Sequence, residues 1–217
     1  MSPSESSGSY VVVGDVVGSR AIDDRDTFGR ALDDALATVN HQYAGSVRAD
    51  VVTVKGVDEV AGVLDHPRDV YGVVKTVHDE IHPDQVRFGV AHGAIDVNPD
   101  SADVTTMDGP AFHHANELLE WVERRGSLFA FEGRYPAVDG LVSSTVNLIL
   151  TLREDWTDPQ FEAVRARERA SSQQEAADQL DIGQQTVSDR LQRAHWNRVT
   201  QAEDTVREIL AGYEDGS

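Results

Sequence analysis

The sequence predicts an α+β chain: a sandwich of the ferredoxin-like kind over residues 10–152, then an all-α domain over residues 156–211. Three observations lead there. Short Val-rich runs alternate with longer runs of helical period, in the order β-α-β-β-α-β-α-β. Two of the strands are separated only by Gly56-Val57-Asp58, which reads as a hairpin between two crossover units. From Thr157-Asp158-Pro159 onward the strand signals stop and every segment reads as helix.

Each element follows from local pattern. Tyr10 to Asp15 is a buried strand that ends in the loop Val16 to Arg20. Asp24 to Tyr43 is a helix, because Phe28, Leu32, Leu36 and Val39 recur at helical spacing. Arg48 to Lys55 and Glu59 to Leu64 form the hairpin. His66-Pro67 opens a helix to about Ile81, with Val70, Val73, Val74 and Val77 on one face. Gln85 to His92 is a strand that continues to Val97. A polar loop, Asn98 to Asp108, leads through Gly109-Pro110 into a helix over Ala111 to Arg125. Leu128 to Phe131 is a short strand, and Val138 to Arg153 is a helix that leads out of the domain. Asp158 is placed to cap the next helix, with Pro159 in its first turn.

Composition narrows the class. The chain has 217 residues and no Cys, which excludes a disulfide framework and thiolate metal sites. The first nine residues are polar and small, and no apolar run is long enough to cross a bilayer. A soluble, cytoplasmic protein is expected. The net charge is −19, and Lys55 and Lys75 are the only lysines. Acid spread along the chain with scarce Lys resembles proteins of salt-loving organisms, whose acidic surfaces keep them in solution. An acidic partner-binding surface is the alternative.

The stretch Ser172 to Ala194 carries the clearest functional signal. It reads as a helix-turn-helix, with Ala176, Ala177, Leu180, Ile182, Val187 and Leu191 on its inner face. Asp181 occupies the turn position that needs a left-handed backbone, which Asp tolerates better than most residues. The second helix then presents Gln184, Gln185, Thr186, Ser188, Asp189, Arg190 and Arg193 outward. Gln184, Gln185 and Thr186 are candidates for base contact in double-stranded DNA, with Ser188 beside them, and Arg190 and Arg193 for phosphate. One such module spans a short half-site, so a homodimer is expected. A helical hairpin that binds nothing would share the apolar spacing.

Charge opposes this reading in part. Residues 158–211 hold seven Arg against ten Asp or Glu, whereas DNA-binding domains are usually basic. In molar salt the Debye length is about 3 Å, so short-range contacts would have to replace long-range attraction. Arg165, Arg167 and Arg169 are either phosphate contacts or a solvated face. Trp196 is expected to pack against a last helix over about Val199 to Leu210.

Three pieces of the first domain carry a family likeness: Gly14 to Arg20, Asp58 to Leu64, and Arg87 to Ile95 with Gly109 to Glu117. In this order they resemble the SatD family, in which such a domain precedes a helix-turn-helix. The same pieces are distantly similar to class III nucleotide cyclases. That likeness implies a nucleotide-cyclase-like sandwich with Asp15 and Asp58 as a ligand or metal site for Mg²⁺ with a nucleotide. Gly14, Gly18, Ser19 and Arg20 would form a phosphate loop. The chain also departs from the cyclase pattern. Val57 stands where Gly is expected, and His113 and Glu117 stand in place of the Asn and Arg that steady the phosphoryl group.

The likeness therefore implies a pocket without turnover, and no residue is assigned as catalytic. His92, His113 and His114 are read as hydrogen-bonded rather than metal-ligating. The reading that follows is a DNA-binding regulator with a ligand-sensing or dimerisation domain. Two alternatives stay open: a metal-dependent enzyme that binds or processes nucleotides through Asp15 and Asp58, and a protein-interaction module. A Gly-Asp at a strand end is also common in plain turns.

Overall fold

The computed structural model describes residues 8–19, 22, 24–56 and 58–215. It divides into two compact units, one comprising residues up to Ser144 together with Arg207 onward, the other Thr145–Val206.

The first unit is built on a five-stranded sheet: β1 (Ser9–Val16), β2 (Val47–Lys55), β3 (Glu59–Leu64), β4 (Val86–Gly93) and β5 (Phe129–Glu132). Their order is β2-β3-β1-β4-β5. β1 runs antiparallel to both neighbours, pairing Val12 with Gly62 on one side and with Val90 on the other. The first four strands thus have the ferredoxin-like order, and β5 adds in parallel beside β4. The helices are α1 (Arg25–Gln42), α2 (Val70–Ile81), α3 (Pro110–Arg125) and the start of α4 (Pro136–Glu154).

Strand alternation sets the two faces. On one, Val11, Val13, Ala61, Val63 and Ala91 join Ala111, Ala115, Leu118 and Val122 of α3 in a single apolar cluster. The intervening strand residues Tyr10, Val12, Val60, Leu64, Phe88 and Val90 are also buried. So are Phe28, Leu32, Leu36 and Val39 of α1, and Val70, Val73, Val74 and Val77 of α2. Asn40 of α1 clamps β2, its amide donating to Val51 O at 2.9 Å while its oxygen accepts from Val51 N at 2.8 Å.

α3 approaches β4 unusually closely. A Cβ at Gly89 would lie 2.4 Å from Ala115 O and 2.8 Å from Leu119 N, both backbone atoms of α3. Gly89→Val is therefore expected to destabilise the chain by about 2 kcal/mol, since backbone rather than a rotamer must move. A lowered denaturation midpoint with an unchanged m-value checks this.

Some boundaries differ from those the sequence predicts. β4 ends at Gly93, and Val97 makes only an isolated bridge with Asp108. The polar loop holds a 3₁₀ turn, Val104–Thr106, because Val104 and Met107 are buried in the α3 cluster. Pro67–Asp69 is a 3₁₀ turn before α2.

The second unit contains the rest of α4, then α5 (Asp158–Arg169), α6 (Gln173–Gln179), α7 (Gln184–Arg193) and most of α8 (Trp196–Ala211). The cap of α5 is Thr157 rather than Asp158: Thr157 N donates to Gln160 Oε1 at 2.8 Å, and Asp158 is the first helical residue. Ser172 caps α6, its hydroxyl accepting from Glu175 N at 3.1 Å. Trp156 is buried and donates Nε1–H to Ala194 O at 2.9 Å, tying the end of α4 to the end of α7. Arg153 and Glu203 form a buried ion pair at 3.1 Å, 7% and 4% exposed. Among the described residues no helix is long and apolar enough to cross a membrane.

Candidate functional site

Two regions collect the residues that the sequence singles out. The first is a cleft of about 840 Å³ in the α+β unit, at the end of β1 and along one face of α3. Gly14, Asp15, Gly18, Ser19 and Asp58 all line it. Arg20 and Val57 lie outside the described residues. The hairpin brings Asp58 to β1, where its carbonyl accepts from Val16 N at 2.9 Å.

The two aspartates have separate partners. Arg87 Nη1 donates to Asp15 Oδ2 at 3.4 Å. Ser19 Oγ donates to Asp58 Oδ2 at 2.9 Å, and Arg25 lies 3.7 Å from the same oxygen. Burial pushes the Asp15 carboxyl above its usual range; Arg87 pulls it down, and Glu123, Glu59 and Asp58 push it further up. Arg87 Nε is buried with no hydrogen-bond partner among the described residues, so Asp15 offsets a charge that burial penalises.

Gly18 has φ +65°, the left-handed turn that favours glycine, and a Cβ there would meet nothing within 4 Å. Gly14 serves packing instead: a Cβ would lie 2.7 Å from Val60 Cγ2 and 2.9 Å from Val86 Cγ1.

The α3 face in the cleft is not the one the cyclase likeness implies. Phe112, Asn116, Leu119, Glu120 and Glu123 line it; His113 and Glu117 do not. Asn116 and Glu120, three positions further along α3, line it instead. Asn116 donates to Phe112 O at 2.8 Å. Arg87, Asn116, Glu120 and Glu123 were not singled out as site residues by sequence, since the pairing of β1 with β4 sets Arg87 opposite Asp15 and the docking of α3 on β4 brings the other three to the cleft. The signal present was the helical spacing 112-116-119-123.

Asp15 and Asp58 are each already engaged, by Arg87 and by Ser19. Among them and the other described side chains, no group of three His, Asp or Glu is arranged to hold a metal ion. The histidines diverge: His113 faces Asp108 at 3.3 Å and His114 faces Glu132 at 2.7 Å. His92 packs on the Tyr10 ring at 4.8 Å and meets Arg134 Nη2 at 3.3 Å.

Burial, then the Arg134 charge, holds His92 below the usual histidine range. A lowered folded-state value means the unfolded chain takes the proton first. The contribution of His92 is thus intact above about pH 6.5 and is lost as pH falls through and below that value. His92→Gln is expected to flatten the fall in Tm between about pH 7.5 and about pH 5.5, measured against the parent chain.

The second region is α7. Val187, Leu191 and Ala194 are buried at helical spacing, above buried Ala176 and Ala177 of α6. Leu180 and Ile182 are half-buried. Asp181 has φ +52°, the left-handed conformation expected of that turn. Gln184, Gln185, Thr186 and Arg193 are exposed, and Ser188 is half-buried. Gln185 donates to Asp189 Oδ1 at 2.9 Å along the helix.

Arg190 is less free than the sequence suggests. It is half-buried, its Nη1 is 3.4 Å from Pro159 O and 3.9 Å from Glu162, and it fastens α7 to α5. Arg167 also serves structure, donating to Ala170 O at 2.8 Å and lying over the Trp196 ring at 5.2 Å. Arg169 is exposed.

Among solved structures, a bacterial light-regulated adenylyl cyclase overlaps 57% of this chain and 74% of its own at 12% identity, with a TM-score of 0.42. A regulator of polyketide synthase expression from Bifidobacterium adolescentis overlaps 96% of this chain and 86% of its own at 16% identity, with a TM-score of 0.28. No curated protein matches the chain in sequence. The profile of the SatD family does match, over residues 10–202, and the chain belongs to the SatD family.

Proposed function

We propose that this protein is a DNA-binding transcriptional regulator. The α6–α7 pair is its helix-turn-helix, and the cleft of the α+β unit is a ligand-sensing site. The observation that carries the proposal is the first turn of α7. Gln184, Gln185 and Thr186 stand exposed there, while Val187 and Leu191 hold the helix down from beneath. Glutamine amides carry both a donor and an acceptor, the pairing that reads adenine in the major groove. The left-handed Asp181 supports the sharp turn that such a pair needs.

Arg193 at the far end of α7 is the phosphate contact, and Arg190 acts by holding the helix in place. The unit's acidity makes non-specific binding weak, so recognition rests on base contacts at close range. The active species is a homodimer on a two-fold operator.

Selection of genomic fragments by the full chain tests this, in both low and molar salt. A shared sequence motif is expected. Gln185→Ala is expected to weaken binding to that motif by about tenfold or more and to relax preference at one base position. Arg193→Ala is expected to weaken all sequences alike and to lower the salt slope by about one. A pool with no sequence preference overturns the proposal.

A further inference from the structure

The cleft of the α+β unit has two chemically distinct parts. Its floor is apolar, formed by Val13, Val60, Val104, Met107, Phe112 and Leu119. Its rim carries the carboxylates of Asp15, Asp58, Glu59, Glu120 and Glu123, and Arg87 is the cation among the described lining residues. Arg87 faces Asp15 at 3.4 Å, and from outside the cleft Arg25 approaches Asp58 at 3.7 Å and Arg124 approaches Glu120 at 3.3 Å. Glu123 has no ion-pair partner among the described residues, and its charge acts on Asp15. Among the described lining residues carboxylates therefore outnumber cations above an apolar floor.

We infer that this cleft binds an organic cation, an amine carrying an apolar body. The body covers the Phe112 and Met107 side of the floor, and the ammonium stands at the rim between Asp15 and Glu123. The cleft's volume lies in the range of small-molecule sites, and its polar rim leaves only part of the apolar floor open to a ligand. A nucleotide would bring its phosphates against five carboxylates, with the lining arginine already engaged. A small divalent ion would find no group of three His, Asp or Glu arranged to hold it among the described residues. A diffuse ring of charge above apolar surface suits a large cation that keeps part of its charge in water.

The inference rests on the sensory role proposed for the cleft and is independent of DNA recognition by α7. Calorimetric titration of the full chain without DNA separates the two. Tryptamine, octylamine and adamantylamine are each titrated beside the neutral alcohol of the same skeleton, and ATP with Mg²⁺ is titrated alone. At least one amine is expected to bind about tenfold tighter than its alcohol at low salt. Glu123→Gln, an exposed substitution that leaves the core untouched, is expected to remove most of that difference while leaving the alcohol's affinity unchanged. Asp15→Asn is expected to act the same way. Three outcomes overturn the inference: no amine binds tighter than its alcohol, the amine advantage survives in both variants, or ATP with Mg²⁺ binds and the amines do not. Loss of sequence preference on DNA with the amine result intact removes the regulator proposal alone.

Discussion

Glu203→Ala is expected to destabilise the second unit by about 4 kcal/mol, the largest effect of any single substitution considered. The pair it breaks is 3.1 Å long, and both side chains are almost wholly out of water. Removing one partner of such a pair takes a close opposite charge from a buried one, which is more damaging than removing both. Arg153 also lies over the Trp156 ring at 4.8 Å, so its displacement disturbs the residue that holds Ala194. The double substitution Arg153→Met with Glu203→Leu is expected to recover most of the loss, since it replaces the pair with apolar groups of similar size. Denaturant unfolding followed by tryptophan emission checks both, with Trp156 reporting locally. The loss is expected to persist in molar salt, which screens surface pairs but reaches a buried one far less. Recovery of the single variant by added salt would contradict this account.

Tyr213→Phe is expected to cost the first unit about 3 kcal/mol. The phenol oxygen accepts from Arg134 N at 2.6 Å and from Tyr135 N at 3.0 Å, and it donates to Asp139 Oδ1. Asp139 is buried and accepts from Gly133 N at 3.0 Å through its other oxygen. Phenylalanine keeps the ring packing on Phe131 and Tyr135 but removes the one atom that joins these groups. Two backbone donors and a carboxylate are then left short of partners. Burial and the Asp139 hydrogen bond push the phenol up to about 12. The bond it donates is therefore intact at neutral pH and is lost only as pH rises toward that value. Tm of the variant against the parent chain at neutral pH measures the effect, and ultraviolet titration of tyrosinate locates the ionisation.

Contacts of α7 with its neighbours gather toward its C-terminal end. Pro159 O and Glu162 hold Arg190, and Trp156 holds the carbonyl of Ala194. α7 is thus fastened near its middle and at its end, while its first turn, with the glutamines, stays exposed.

The order of elements in the first unit was readable from the chain because burial leaves a local record. A strand shows it at every second residue, and a helix shows it at 28-32-36-39 or 115-118-122. Asp181 could be placed in a left-handed turn on the same local grounds, since few residues accept that backbone. What the chain did not disclose lies in pairs far apart along it. Asp15 meets Arg87 across 72 positions, Tyr213 meets Asp139 across 74, and Arg153 meets Glu203 across 50. No period relates such residues; the strand order β2-β3-β1-β4 and the docking of α3 on Gly89 bring the first pair and the cleft together. The rotation of α3 shows the difference. Its existence follows from spacing, but whether His113 or Asn116 faces the cleft depends on which ridge of the helix settles against a glycine in the sheet. Local pattern decides what each segment becomes, and steric fit between segments decides which of its side chains meet.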